Sequence, residues 1–168
     1  MLGPSGPLQR GRDVKARLDA IDWKILRELQ ADGRITNVAL AGRVGISAPP
    51  CLRRVRALEE AGIIEGYRAM VDGRALGLAV SAFALVGLSS QSEADLLTFE
   101  ARVRSWEIVR ECHMLSGDID FILKCIAPDL ETFQAFVIEE LTRAPQVESV
   151  RTSLVIRRLK NEPAVPVP

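Results

Sequence analysis

Residues 36–62, TNVALAGRVGISAPPCLRRVRALEEAG, read as two short helices joined by a tight glycine turn, with Arg53, Arg54 and Arg56 on the second. This is the layout of a helix-turn-helix, whose second helix enters the DNA major groove. Thr36 is placed to cap the first helix, and Leu40, Ala41 and Val44 give it an apolar stripe. Gly45 falls where the chain must turn sharply, and Ile46 is placed to plug the space between the helices. Ser47 is a favourable N-cap for the second helix. Pro49 and Pro50 follow in its first turn, where a missing N–H costs little. Leu52, Val55 and Leu58, spaced by three, are expected on its buried face, and Gly62 ends it.

Working outward, a helix-turn-helix needs a third helix to close a core. Residues 19–32 supply it: Asp19 as N-cap, Asp22 three residues on in a capping-box arrangement, and Leu18, Ile21, Ile25 and Leu29 at helical spacing. On the other side, residues 63–70 read as a short strand or wing. A small helical bundle with a solvated basic face is the competing account. The Gly-Ile-Ser turn directly before the basic helix favours DNA. Ser47, Ala48, Pro49, Arg53, Arg54 and Arg56 are the DNA-contacting candidates.

The chain's 168 residues hold 22 Lys+Arg and 22 Asp+Glu, so net charge gives no hint of nucleic acid. Its distribution does. Residues 1–70 carry 12 basic and 8 acidic side chains, and residues 71–168 carry 10 and 14, which suggests a basic binding half and an acidic half with another task. No apolar run is long enough to span a membrane, and the first residues lack a secretory apolar core, so a cytoplasmic protein is expected. Three cysteines without metal-ligand spacing fit free thiols. A lone histidine, His113, leaves little for a zinc site or a His-based triad, so no catalytic or metal residues are assigned and no enzyme is expected.

The second half begins after a glycine-containing hinge at residues 71–79. Residues 80–88 read as a strand that is apolar on both faces. A helix opening at Ser92, strands over 108–115 and 120–126, a helix capped by Asp129 and a last strand over 147–158 complete a β-α-β-β-α-β order. Both helices belong on one sheet face. The first strand's other apolar face then needs a second subunit. The loop at 115–120 joins two strands of a rigid scaffold, the usual place for a site. Asp118 and Asp120 could hold an ammonium, and backbone near Gly117 could take a carboxylate. A hairpin turn with solvated acids explains the same residues.

The residues resemble the Lrp/AsnC (feast/famine) regulators of bacteria and archaea. The likeness rests on four pieces in order: residues 18–22 with Ile25 and Leu26; Asp32-Gly33-Arg34-Ile35; Pro50-Cys51-Leu52 with Arg54-Val55-Arg56; and Glu111-Cys112-His113 followed by residues 116–121, SGDIDF. Residues 48–50, Ala-Pro-Pro, differ from the Pro-Thr-Pro expected there. The resemblance implies an α+β chain: an N-terminal winged helix-turn-helix, then a ferredoxin-like βαββαβ (RAM-type) sensor and oligomerisation domain. It implies a regulator of amino acid metabolism genes that binds double-stranded DNA and takes a small amino acid effector, with no further cofactor. It also implies homodimers that assemble to tetramers or octamers. Met114, Leu115, Ser116, Gly117, Asp118 and Asp120 become the effector candidates. The implied division is a flexible extension over 1–15, a DNA-binding domain over 16–70, the hinge, a sensor over 80–160 and a disordered tail over 161–168. An architectural DNA-binding protein without an effector, or a sensing subunit of an enzyme, are the alternatives.

Overall fold

The computed structural model describes residues 18–162 and 164–168; the extension expected over 1–15 lies outside them. The chain forms two compact units, one holding residues up to Met70 together with Glu162–Pro168, the other holding Val71–Asn161.

Among the described residues, three helices build the first unit: α1 (Ala20–Ala31), α2 (Asn37–Val44) and α3 (Ala48–Glu60). Each start has a local cause. The Asp19 carboxylate accepts from the Ile21 and Asp22 amides at 2.9 and 3.0 Å, and the Asp22 carboxylate returns the favour to the Asp19 amide at 3.1 Å, a closed capping box. Thr36 Oγ1 caps α2 through the Ala39 amide. Gly45 ends α2 at φ 81°, a left-handed turn that a β-carbon would strain. Ile25, Leu26, Leu40, Ala41, Val44, Cys51 and Leu58 form the buried core.

One expectation is corrected here. No strand forms across residues 63–70: Ile63 and Ile64 pack on the helical core, and the Tyr67 hydroxyl donates to Glu59 at 3.0 Å, but the segment has no ladder partner among the described residues. The end of the tail touches the same unit. Val167 packs against the same core, and the Arg27 guanidinium donates to the Pro168 backbone oxygen.

The second unit opens with a single 3-10 turn at Arg74–Leu76. Then follow β1 (Val80–Leu88), α4 (Glu93–Ser105), β2 (Val109–Met114), β3 (Phe121–Ala127), α5 (Leu130–Ala135, continued by a π-helical stretch Phe136–Leu141) and β4 (Val147–Leu154). The sheet is antiparallel in the order β2-β3-β1-β4. β4 stops four residues short of the expected end, once the Val155 amide has reached the Ser81 carbonyl.

Strand alternation sorts the sheet into two faces. Ala82, Ala84 and Val86 of β1 and Phe121, Leu123 and Cys125 of β3 are buried beneath the helices. The small alanines leave room for an aromatic chain: Phe99 meets Phe121 at 4.8 Å with the rings tilted by 44° and meets Trp106 at 6.0 Å, and Trp106 meets Phe136 edge-on at 5.3 Å. On the opposite face, Phe83 pairs across to Lys124 and Leu85 to Ile122, all half-buried.

Candidate functional site

Helix α3 carries the candidate DNA surface. Its buried stripe is Ala48, Cys51, Val55 and Leu58, at spacings of three, four and three. The expected stripe through Leu52 is therefore wrong. Repeated steps of three drift around a helix, and only mixed steps of three and four stay on one side. Leu52 instead lies 39% exposed, on the same open side as Pro49, Arg53 and Arg56. It is a surface residue that strict helical arithmetic from Cys51 would have found.

Ser47 is the N-cap by backbone geometry, yet its hydroxyl caps nothing. The reason lies in the next residues. A cap accepts from the second or third helical amide, and those positions are Pro49 and Pro50, which have no N–H. The hydroxyl is left free at the tip of the helix. Asn37 Nδ2 ties this tip to α2 by donating to the Ala48 carbonyl at 2.8 Å.

The three arginines part company. Arg53 and Arg56 are exposed and make no ion pair among the described residues. Arg54 turns toward α1, where its Nη1 sits 2.8 Å from Asp19 Oδ2 and 2.8 Å from Asp22 Oδ1. Arg54 is thereby set apart from the other DNA-contact candidates. Its guanidinium is already engaged inside the fold.

In the second unit, the loop after β2 divides in the same way. Met114 is 58% and Leu115 40% exposed, and Ser116, Gly117 and Asp118 are exposed beside them. Gly117 has φ 141°, a backbone conformation that side-chain-bearing residues avoid. The Leu115 amide closes the loop on the Asp120 carbonyl at 2.8 Å.

Asp120 itself is 7% exposed and points inward. Its Oδ2 accepts from the Leu88 amide at 2.6 Å, and its Oδ1 from Gln91 Nε2 at 2.7 Å. Leu88 lies beyond the last β1–β3 pair, Val86 with Phe121, so its buried amide has no β3 carbonyl to meet. A carboxylate fills that need. Both of its oxygens therefore serve the fold, one hydrogen bond each.

On the open sheet face, Lys124 Nζ lies 2.5 Å from Glu111 Oε1, and His113 Nε2 lies 3.6 Å from Glu111 Oε2. The Lys124 ammonium beside Glu111 lowers that carboxyl below its ordinary range. The thiols are inert by contrast. Burial raises Cys51, and pushes Cys112 and Cys125 up to about 11. No group of residues suited to hold a metal ion is found among the described residues, and none of their helices is long and apolar enough to cross a membrane.

A helix-turn-helix with free arginines on its second helix, followed by a βαββαβ domain with an exposed loop, defines a DNA-binding regulator with a separate ligand-binding domain. Comparison with known proteins agrees in both halves. Residues 18–65 match a winged helix-turn-helix DNA-binding model, and residues 81–165 match the Lrp/AsnC ligand binding domain. The chain is 62% identical over 148 residues to a leucine-responsive regulatory protein of Rhizobium meliloti, covering 88% of this chain and 95% of that one. It is 41% identical over 143 residues to the leucine-responsive regulatory protein of Escherichia coli K12, covering 85% and 87%. Among solved structures, a transcriptional regulator of Neisseria meningitidis in complex with L-Met superposes with a TM-score of 0.85 at 36% identity, covering 89% of this chain and 96% of that one. An AsnC family regulator of Agrobacterium tumefaciens gives 0.84 at 30% identity, covering 89% and 97%. The chain belongs to the Lrp/AsnC family of transcriptional regulators.

Proposed function

We propose that this regulator reads DNA through the open side of α3 and is gated by a small amino acid held at the loop after β2. Arg53 and Arg56 reach bases and phosphates. The uncapped Ser47 hydroxyl meets a backbone phosphate, and Ala48, Pro49 and Leu52 offer apolar contact to thymine methyl groups. At the loop, Asp118 takes the effector's ammonium, the backbone around Gly117 its carboxylate, and Met114 and Leu115 its side chain. That the Neisseria meningitidis relative was solved with L-Met supports an amino acid as the effector class. The observation that carries the reading is the exposure of two apolar side chains, Met114 and Leu115, next to a carboxylate with no partner of its own among the described residues.

The half-buried face of Phe83, Leu85 and Ile122 joins a second copy, so the working form is a homodimer or a closed assembly of dimers in the cytoplasm. A loop near such a contact lets ligand occupancy bias one assembly over another, and with it the spacing of the DNA-binding units. The test is a thermal-shift screen of the intact chain against the twenty amino acids. A true effector raises the midpoint progressively with its concentration, because it stabilises the native state by about 2.7 kcal/mol at a hundredfold excess over Kd. Asp118→Ala should abolish the shift. No response to any amino acid at millimolar concentration would end the sensing half of the reading.

A further inference from the structure

We infer that Arg54 is the positioning residue that sets the recognition helix on α1 and makes no contact with DNA itself, a role that rests on the DNA-binding reading above. The geometry shows a socket built for it. Four carboxylate oxygens surround the start of α1, and they are divided without conflict. Asp19 Oδ1 takes the Ile21 and Asp22 amides, and Asp22 Oδ2 takes the Asp19 amide, which completes the cap. The two oxygens left over, Asp19 Oδ2 and Asp22 Oδ1, both lie 2.8 Å from Arg54 Nη1. The capping box of one helix is thus the receptor for the arginine of another.

Three further facts support positioning over readout. The Asp22 side chain is only 13% exposed and that of Arg54 32%, against 52% for Asp19, so the Asp22 contact is the one shielded from full solvent screening. Among the described residues, Arg54 is the sole charged side chain of α3 in an ion pair, and its partners flank the first turn of α1. Its position on the helix is also wrong for the groove. Arg53 and Arg56 occupy the open side, whereas Arg54 lies half-buried on the flank toward α1. Pulling Arg54 out to a guanine would leave both carboxylates without their cation, a cost set against the gain.

The test measures Kd against salt concentration for the intact protein, using a duplex that the native chain selects from a random-sequence pool. Arg53→Ala and Arg56→Ala should each lower affinity and flatten the log–log salt slope by about 0.9 for each lost phosphate contact. Arg54→Ala should lower affinity about tenfold with the slope unchanged. Asp22→Asn keeps an acceptor for the Asp19 amide but removes the more buried of the two charges that hold Arg54. It should weaken DNA binding, although deleting a negative charge near DNA would by itself strengthen it. This variant also decides the matter if Arg54→Ala fails to fold. Adding Arg54→Ala to Asp22→Asn should cost less than the sum of the two single losses, since both act on one socket. The inference is overturned if Arg54→Ala flattens the slope like its neighbours, if it leaves affinity intact, or if Asp22→Asn binds as well as the native chain or better. Native-like binding by the Arg53→Ala, Arg56→Ala pair would instead overturn the DNA reading of α3, a separate outcome.

Discussion

Replacing Asp120 tests whether that carboxylate belongs to the fold or to the ligand. Asp120→Ala removes the acceptor of a 2.6 Å bond from the Leu88 amide and of a 2.7 Å bond from Gln91. A hydrogen bond to a charged acceptor and a newly orphaned buried amide together cost about 2–3 kcal/mol. For a domain of this size that lowers the midpoint by about 10–20 °C. Asp120→Asn keeps one carbonyl oxygen for Leu88, and its amide can face a flipped Gln91, so it should lose no more than about 1 kcal/mol. Trp106, 8% exposed in the sensor core, reports the unfolding by fluorescence once Trp23→Phe has silenced the other unit. The reasoning fails if Asp120→Ala unfolds within about 0.5 kcal/mol of the parent, or if Asn and Ala destabilise equally. A ligand response lost in Asp120→Ala but kept in Asp120→Asn would mark a loosened loop and not a missing ammonium partner.

Other expectations follow from the same structure. Leu85→Arg, at the centre of the open sheet face, should convert the proposed dimer to monomers in sedimentation equilibrium; an unchanged dimer would place the contact elsewhere. Gly117→Ala should cost about 1 kcal/mol or more, because its φ of 141° disfavours a β-carbon, and should weaken amino acid binding in calorimetry. The amide of Asp22, with a smaller contribution from Arg54, holds the Asp19 carboxyl below its ordinary value of 3.8. A lowered pKa in the folded state stabilises fully above that ordinary value, and the contribution is lost as the pH falls through the lower folded-state one. Helix α1 should therefore loosen below about pH 4 in hydrogen exchange, and the acid sensitivity should shrink in Asp19→Asn.

The elements were legible wherever a period was sustained. The stripe from Ile25 to Leu29, the Gly45 turn and the apolar alternation of β1 and β3 each require one conformation to bury their side chains. Most of what was not legible has one cause: a side chain's partner can lie far along the chain. Arg54 looks like its neighbours until Asp19 and Asp22, some thirty residues earlier, are brought beside it. Asp120 looks like Asp118 until folding delivers an unmatched Leu88 amide, and only one of the two acids stays free. Residues 63–70 have the composition of a strand, yet a strand exists only with a partner to bond. Leu52 needed no distant information, only a stricter count of helical steps.

The buried thiols have a practical consequence. A thiol with a pKa of about 11, as at Cys112 and Cys125, is thiolate in about one molecule in ten thousand at neutral pH, and the thiolate is the species that alkylates. A cysteine introduced at an exposed loop position such as Asp118 would keep an ordinary pKa and outreact these native thiols by about a hundredfold or more. With Cys51 fully buried as well, a single fluorophore could be attached to the effector loop by maleimide chemistry without first stripping the chain of its own cysteines.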